Sequence, residues 1–203
     1  MDIALFLRGL AMGFSIAAPV GPIGVLCIRR TLAEGRISGL VSGLGAATAD
    51  AVYGCIAGFG LTFVSNFLVS RQMWLQIAGG LFLCFLGART FLAKPAEQSA
   101  RAGGRGLFGT YASTFFLTLT NPMTILSFAA IFAGLGLAAS DGSYASAGML
   151  VLGVFIGSAL WWLLLSGGVG LFREKLGTGA LLWINRFSGV IITGFGVLAL
   201  MSA

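Results

Sequence analysis

The sequence predicts an all-α integral membrane protein of six transmembrane helices, in two inverted three-helix repeats whose first and fourth helices are broken. Three observations predict it. The chain is 58% hydrophobic and 9% charged, with a mean hydropathy of +1.00, where soluble domains run about 25% charged. Six apolar runs are long enough for a bilayer core that takes about 20 helical residues. Prolines interrupt the first and fourth runs, Pro122 following Pro22 at an offset of 100 residues.

The six runs lie near residues 3–28, 37–64, 73–93, 107–137, 144–171 and 183–202. The first is longer than a secretory apolar region and lacks a basic start, so it is expected to be retained. Within it stands APVGP, where Pro19 and Pro22 remove backbone donors and clash with the preceding turn. The freed carbonyls would be costly in lipid, so such a break belongs against protein or a wet cavity and marks a candidate binding site. The fourth run repeats the break at Asn121–Pro122 in FLTLTNPMTIL. The second and fifth runs align at an offset of 108, pairing Gly45 with Gly153, Asp50 with Ser158 and Tyr53 with Trp161. The third and sixth align at 109, pairing Trp74, Gly80 and Gly87 with Trp183, Gly189 and Gly196. The repeats are thus assigned to residues 1–93 and 107–203, joined by a polar Gly- and Ala-rich linker at 94–106.

The formal charge of +6 reflects basic residues between apolar runs, where they report topology, and no nucleic-acid partner is expected. Arg29, Arg30 and Arg36 are placed in the first connection, Lys94, Arg101 and Arg105 in the third, and Arg173, Lys175 and Arg186 in the fifth. Against these nine stands Arg71 in the second; the fourth has none but carries Asp141. Odd connections are therefore expected in the cytoplasm and both termini outside. Three spans per repeat then make the second half enter from the opposite side.

Asp50 is the acidic residue placed deep in a span, about 13 residues and hence about 20 Å from its cytoplasmic end. A carboxylate there costs several kcal/mol unless it is paired, hydrated or protonated, which makes it a candidate site for a proton or an amine. Beyond Pro22 and Pro122 a helix can restart, proline suiting its first turn and Asn121 its cap. Each restart would offer free N–H groups and a positive dipole end to an anionic group such as a carboxylate. Thr48, Thr118, Thr120, Thr124 and Ser127 are candidates for a polar path, and Tyr53, Trp161 and Trp162 for pocket walls. The candidate substrate-binding or coupling set is Pro19, Gly21, Pro22, Asp50, Asn121, Pro122, Thr124, Ser158 and Trp161.

The chain has no histidine, no phosphate loop and no paired buried carboxylates, and Cys27, Cys55 and Cys84 form no C-x-x-C motif. No catalytic residue, metal or cofactor is expected, and the chain is not expected to be an enzyme. A membrane thiol-disulfide oxidoreductase would need cysteines beside both breaks, yet Ser127 stands opposite Cys27. A metal-ion carrier would need several buried ligands. A purely structural subunit would leave Asp50 unexplained.

APVGPIGVLCIRRTL with Gly35, Gly39, Gly43 and Asp50, then TNPMTILSFAAIF and GVFIGSALWW, resembles the LysE/RhtB family of bacterial amino-acid exporters over nearly the whole chain. The resemblance implies a multi-pass inner-membrane carrier that exports amino acids, by exchange for protons. The family's pattern falls on Pro19, Gly21, Pro22, Asp50, Asn121 and Pro122; many members have glycine where this chain has Ala49. It leaves the substrate open among basic, small polar and aliphatic amino acids. The expected partners are an amino-acid substrate and the lipid bilayer, with a homodimer plausible from the glycine-rich helix faces.

Overall fold

In a computed structural model of the chain, the structure describes residues 2–19, 21–59, 71–93, 106–121, 124–125, 127–128, 144–172 and 177–202. The described residues form helices and no strands. These are α1 (Asp2–Ala17), α2 (Pro22–Glu34), α3 (Arg36–Gly58), α4 (Gln72–Phe91), α5 (Leu107–Leu119), α6 (Tyr144–Gly170) and α7 (Thr178–Met201). Thr124, Ile125, Ser127 and Phe128 are also helical. By length and apolarity α3, α4, α6 and α7 can each cross a membrane, and α1 and α2, bent by 80° at their break, make a fifth span if the pair is counted as one. At 13 residues α5 is apolar but shorter, about 20 Å long. Pro122, the 94–105 part of the linker, and Asp141 lie outside the described residues.

The first break falls where the prolines put it. α1 ends at Ala17, the Gly21 amide turns back onto the Pro19 carbonyl at 2.9 Å, and α2 starts with Pro22 at its first position after an extended Gly21. The Gly21 carbonyl then accepts the Val25 amide at 3.0 Å. At the second break α5 ends at Leu119, and the Asn121 carbonyl accepts the Ile125 amide at 3.2 Å. These two restart bonds sit 100 residues apart, the offset of the proline pair.

One boundary differs from expectation in a way that matters. The helix after Pro22 does not stop at residue 28 but runs on to Glu34, and the chain turns into α3 through Gly35 alone, at φ 107°. Only glycine adopts that backbone readily, and its amide bonds the Arg30 and Thr31 carbonyls. Arg29 and Arg30, expected in a loop, therefore lie in the last turns of α2, and both are buried.

α1 packs mainly on α6, α4 on α7, and α3 on both α6 and α5; α2 lies against α3, α7 and α6. Lipid tails are as apolar as leucine, so association rests on close backbone approach and polar contacts. A methyl at Gly9 or Gly13 would overlap the Leu150 or Val154 carbonyl, and one at Gly153 or Gly157 would overlap those of Phe6 or Leu10. Gly80 lies against Gly196 and Gly87 against Gly189 across the α4–α7 seam. The core joins Leu26 and Cys27 of α2, Ala46 and Ala47 of α3, Leu117 of α5, Trp162 of α6 and Ile192 of α7. Outward positions such as Leu81, Phe85, Leu164 and Phe187 are exposed and apolar, as a lipid-facing surface requires.

Candidate functional site

The break between α1 and α2, the middle of α3 and the end of α5 enclose a polar cavity of about 60 Å³. Pro19, Gly21 and Pro22 line it from the first break, Asn121 and Thr124 from the second, and Asp50 from α3. Thr118, Ala46, Trp162 and the α1 residues Ile16 and Ala17 also line it, together with Ile23 and Gly24. The last two belong to the first turn of α2, whose amides have no partner within the helix and whose dipole end is positive. A carboxylate and a helix N-terminus thus face one small volume. It has room for a few waters, so any larger solute requires its walls to part.

Asp50 is 3% exposed and accepts a hydrogen bond from Ser158 Oγ on Oδ2 at 2.7 Å. Trp162 Nε1 donates to the same Ser158 oxygen at 3.2 Å. The hydroxyl therefore relays the indole N–H toward the carboxylate, and both donors come from α6. Asp50 and Ser158, paired in sequence only by the 108-residue offset, touch one another in space.

Other candidates are placed elsewhere. Trp161 does not line the cavity; its ring meets Phe14 edge-on at 5.4 Å, and its neighbour Trp162 is the wall. The two differ by 100° of helix rotation, which span-level alignment does not resolve. Tyr53 caps the end of α5 instead of walling a pocket, donating to the Leu119 carbonyl at 2.6 Å and stacking on Phe128. Thr48 donates to the Leu44 carbonyl and accepts from Tyr111 Oη at 2.8 Å; Thr120 bonds its own helix at Phe116. A larger groove of about 360 Å³ lies on the outer side between α4 and α7, lined by Ala88, Phe91, Leu92, Gly189, Val190 and Thr193. It has no charged lining residue, whereas the smaller cavity has Asp50.

Beyond the expected set, Arg30 is buried between α2, α3 and α5. The sequence reading places it in a loop because that reading ends the run at residue 28, six residues short of Glu34. The available signal was Gly35, a better helix stop than the arginines before it.

Membrane-length helices around a polar cavity at a helix break define a multi-pass membrane protein with an internal polar site. The chain belongs to the LysE type translocator family, whose profile matches residues 14–203. It is 29% identical over 197 residues to the putative amino acid efflux protein YcgF of Bacillus subtilis (strain 168), covering 95% of this chain and 93% of that one. It is 24% identical over 196 residues to the threonine efflux protein of Escherichia coli (strain K12), and 23% over 192 residues to that of Salmonella typhi, covering 90% of each chain in both cases. No solved structure matches the chain.

Proposed function

We propose that this protein is a secondary transporter that exports amino acids across the bacterial plasma membrane in exchange for protons. The observation that carries the reading is the shared cavity of Asp50 and the first turn of α2, which together match the two charges of a zwitterion. The helix amides take the α-carboxylate, and Asp50, steadied by Ser158, takes the ammonium or a proton. Because one carboxylate serves both, binding one displaces the other, which is what exchange requires. The efflux proteins similar to this chain support the substrate class.

The same reading takes residues 1–93 and 107–203 as inverted repeats that rock about the cavity. Equivalent contacts support it. A methyl at Gly45 would meet the Tyr111 carbonyl and Phe115 amide, and at the equivalent Gly153 it would meet the Phe6 carbonyl and Leu10 amide. Across α4 and α7 each glycine meets its partner's equivalent: Gly80 meets Gly196, and Gly87 meets Gly189. A two-fold axis in the membrane plane produces this pattern. With Arg29 and Arg30 in α2, Arg36 at the start of α3 and Arg186 within α7, the remaining connection residues Lys94, Arg101, Arg105, Arg173 and Lys175 still favour odd connections by five to one over Arg71, supporting a cytoplasmic α2–α3 turn and external termini.

The test is efflux of a panel of labelled amino acids from loaded proteoliposomes, with and without an opposing proton gradient. Gradient-dependent export of one or more amino acids is expected. Absence of movement of every member, with the protein folded and inserted, overturns the reading.

A further inference from the structure

Arg29 and Arg30 are neighbours on α2, each 7% exposed, and their charges are met in opposite ways. Arg29 turns to α7, where its Nε donates to Asn185 Oδ1 at 3.2 Å, and its Nη2 lies 3.4 Å from Glu34 Oε1. A carboxylate therefore offsets its charge. Arg30 turns to α3 and α5. Its Nη1 donates to Ser42 Oγ and Thr114 Oγ1, both at 2.7 Å, and to the Thr110 carbonyl at 3.1 Å, while Nη2 donates to Ser113 Oγ at 2.8 Å. All four acceptors are neutral, and among the described residues no carboxylate stands within ion-pair distance of it. Buried charges are ordinarily paired directly, whereas this guanidinium sits in a cage of neutral oxygens that solvates it, with Glu34 acting on it only from beyond ion-pair distance.

The cage also lies in line with the cavity. Ser42, Ala46 and Asp50 recur every fourth residue on α3, and Thr110, Thr114 and Thr118 do so on α5, so each set shares one helix face. Asp50, Ala46 and Thr118 line the cavity, whereas Ser42, Thr114 and Thr110 hold Arg30. The Ser42-to-Asp50 separation along α3 is about 12 Å. Two facing strips of small and hydroxyl side chains therefore connect Arg30 to the cavity, on the side of the α2–α3 turn.

We propose that Arg30 is a second station on the transport path, which binds the substrate's carboxylate at the α2–α3 end before the cavity receives it. The inference rests on the amino-acid reading above. A guanidinium fork accepts a carboxylate through two parallel, charge-assisted bonds, each about twice as strong as one to a neutral oxygen. An entering carboxylate displaces the hydroxyls, and they are not orphaned by it. Ser42 Oγ and Thr114 Oγ1 already lie 2.7 Å apart, and Ser113 and Thr114 each also donate to the Thr110 carbonyl. The same cage ties α2 to α3 and α5 across the path, so binding of a carboxylate at Arg30 and release of that tie are one event.

The test compares transport from the two faces, using inside-out and right-side-out vesicles with L-threonine as probe and L-threoninamide as carboxylate-free competitor. Arg30→Gln is expected to raise KM at the α2–α3 face by about tenfold or more, and at the opposite face by less than about twofold. The preference for L-threonine over its amide should shrink at the first face only. Arg30→Lys, which keeps the charge but not the fork, should fall between. Thr114→Val, which loosens the cage and keeps the guanidinium, should retain the full preference. If Arg30→Gln does not give a monodisperse protein, Arg30→Lys carries the comparison of KM between faces. A rate lowered equally from both faces with KM and amide discrimination unchanged would make Arg30 a latch only, overturning the proposal while leaving the amino-acid reading intact. Wild-type vesicles that move no amino acid overturn both.

Discussion

Asp50 illustrates how one side chain is made usable at membrane depth. The carboxylate is buried, yet it accepts a hydroxyl donor at 2.7 Å and shares a cavity with the first turn of α2, so it is neither orphaned nor locked into an ion pair. Asp50→Asn keeps the shape and removes the charge, so the protein should insert and fold. Proton-driven export should fall by about a hundredfold, equivalent to about 2.8 kcal/mol, while downhill exchange of substrate persists. Concentrative, gradient-driven export by that variant would move the coupling site elsewhere. Ser158→Ala removes the donor alone. Hydrogen bonds to charged groups are worth about 1.5–3 kcal/mol, so export is expected to drop by about tenfold without loss of expression. Ser158→Thr, which keeps the hydroxyl, should recover part of it. Unchanged export in the alanine variant would show that the relay does not position the carboxylate.

At the scale of elements, glycines decide which helices meet. α6 carries a built-in comparison, because Gly153 and Gly157 face the α1 backbone while Gly148 faces open space. Gly148→Ala should leave thermal stability unchanged or raise it by about 0.5–1 kcal/mol through helix propensity. Gly157→Ala forces the added methyl into the Leu10 carbonyl, and overpacking of this kind costs about 1–3 kcal/mol. Thermal unfolding of the two variants in the same detergent measures the difference. Equal melting temperatures would refute the close α1–α6 seam.

For the whole molecule, the orientation of the repeats is the decisive property, since an even number of spans per half would make the repeats parallel. In a background with Cys27, Cys55 and Cys84 replaced by serine, Gly106→Cys should label from the cytoplasmic side and Tyr144→Cys from outside. Both positions are exposed at helix ends, so impermeant maleimide reaches them without unfolding. Labelling of both from one side would refute three spans per half. On the proposed inverted arrangement, the two helix breaks would approach one another where the repeats cross.

Sequence by itself determined the membrane class, the all-helical character and the two breaks. These follow from local properties: apolar length sets a span, and proline's fixed ring stops a helix wherever it stands. Pro19, Gly21, Pro22, Asp50, Asn121 and Thr124 were legible as candidates for the same reason, each being costly or restrictive at membrane depth. Tertiary structure alone decided which of two adjacent tryptophans faces the cavity, for a rotation of 100° per residue magnifies any error in helix phase. It alone revealed that Tyr53 caps α5 at Leu119, a contact between residues 66 apart in the chain. Arg30 shows the difference most plainly. In sequence it is one of two adjacent arginines near a helix end, and local rules place both at the membrane surface. Its burial depends on Ser42, Ser113 and Thr114, which α3 and α5 bring to it across separations of 12, 83 and 84 residues. A buried charge without a direct ion pair is tolerable when such oxygens arrive together, and their arrival here is a property of the packing of three helices.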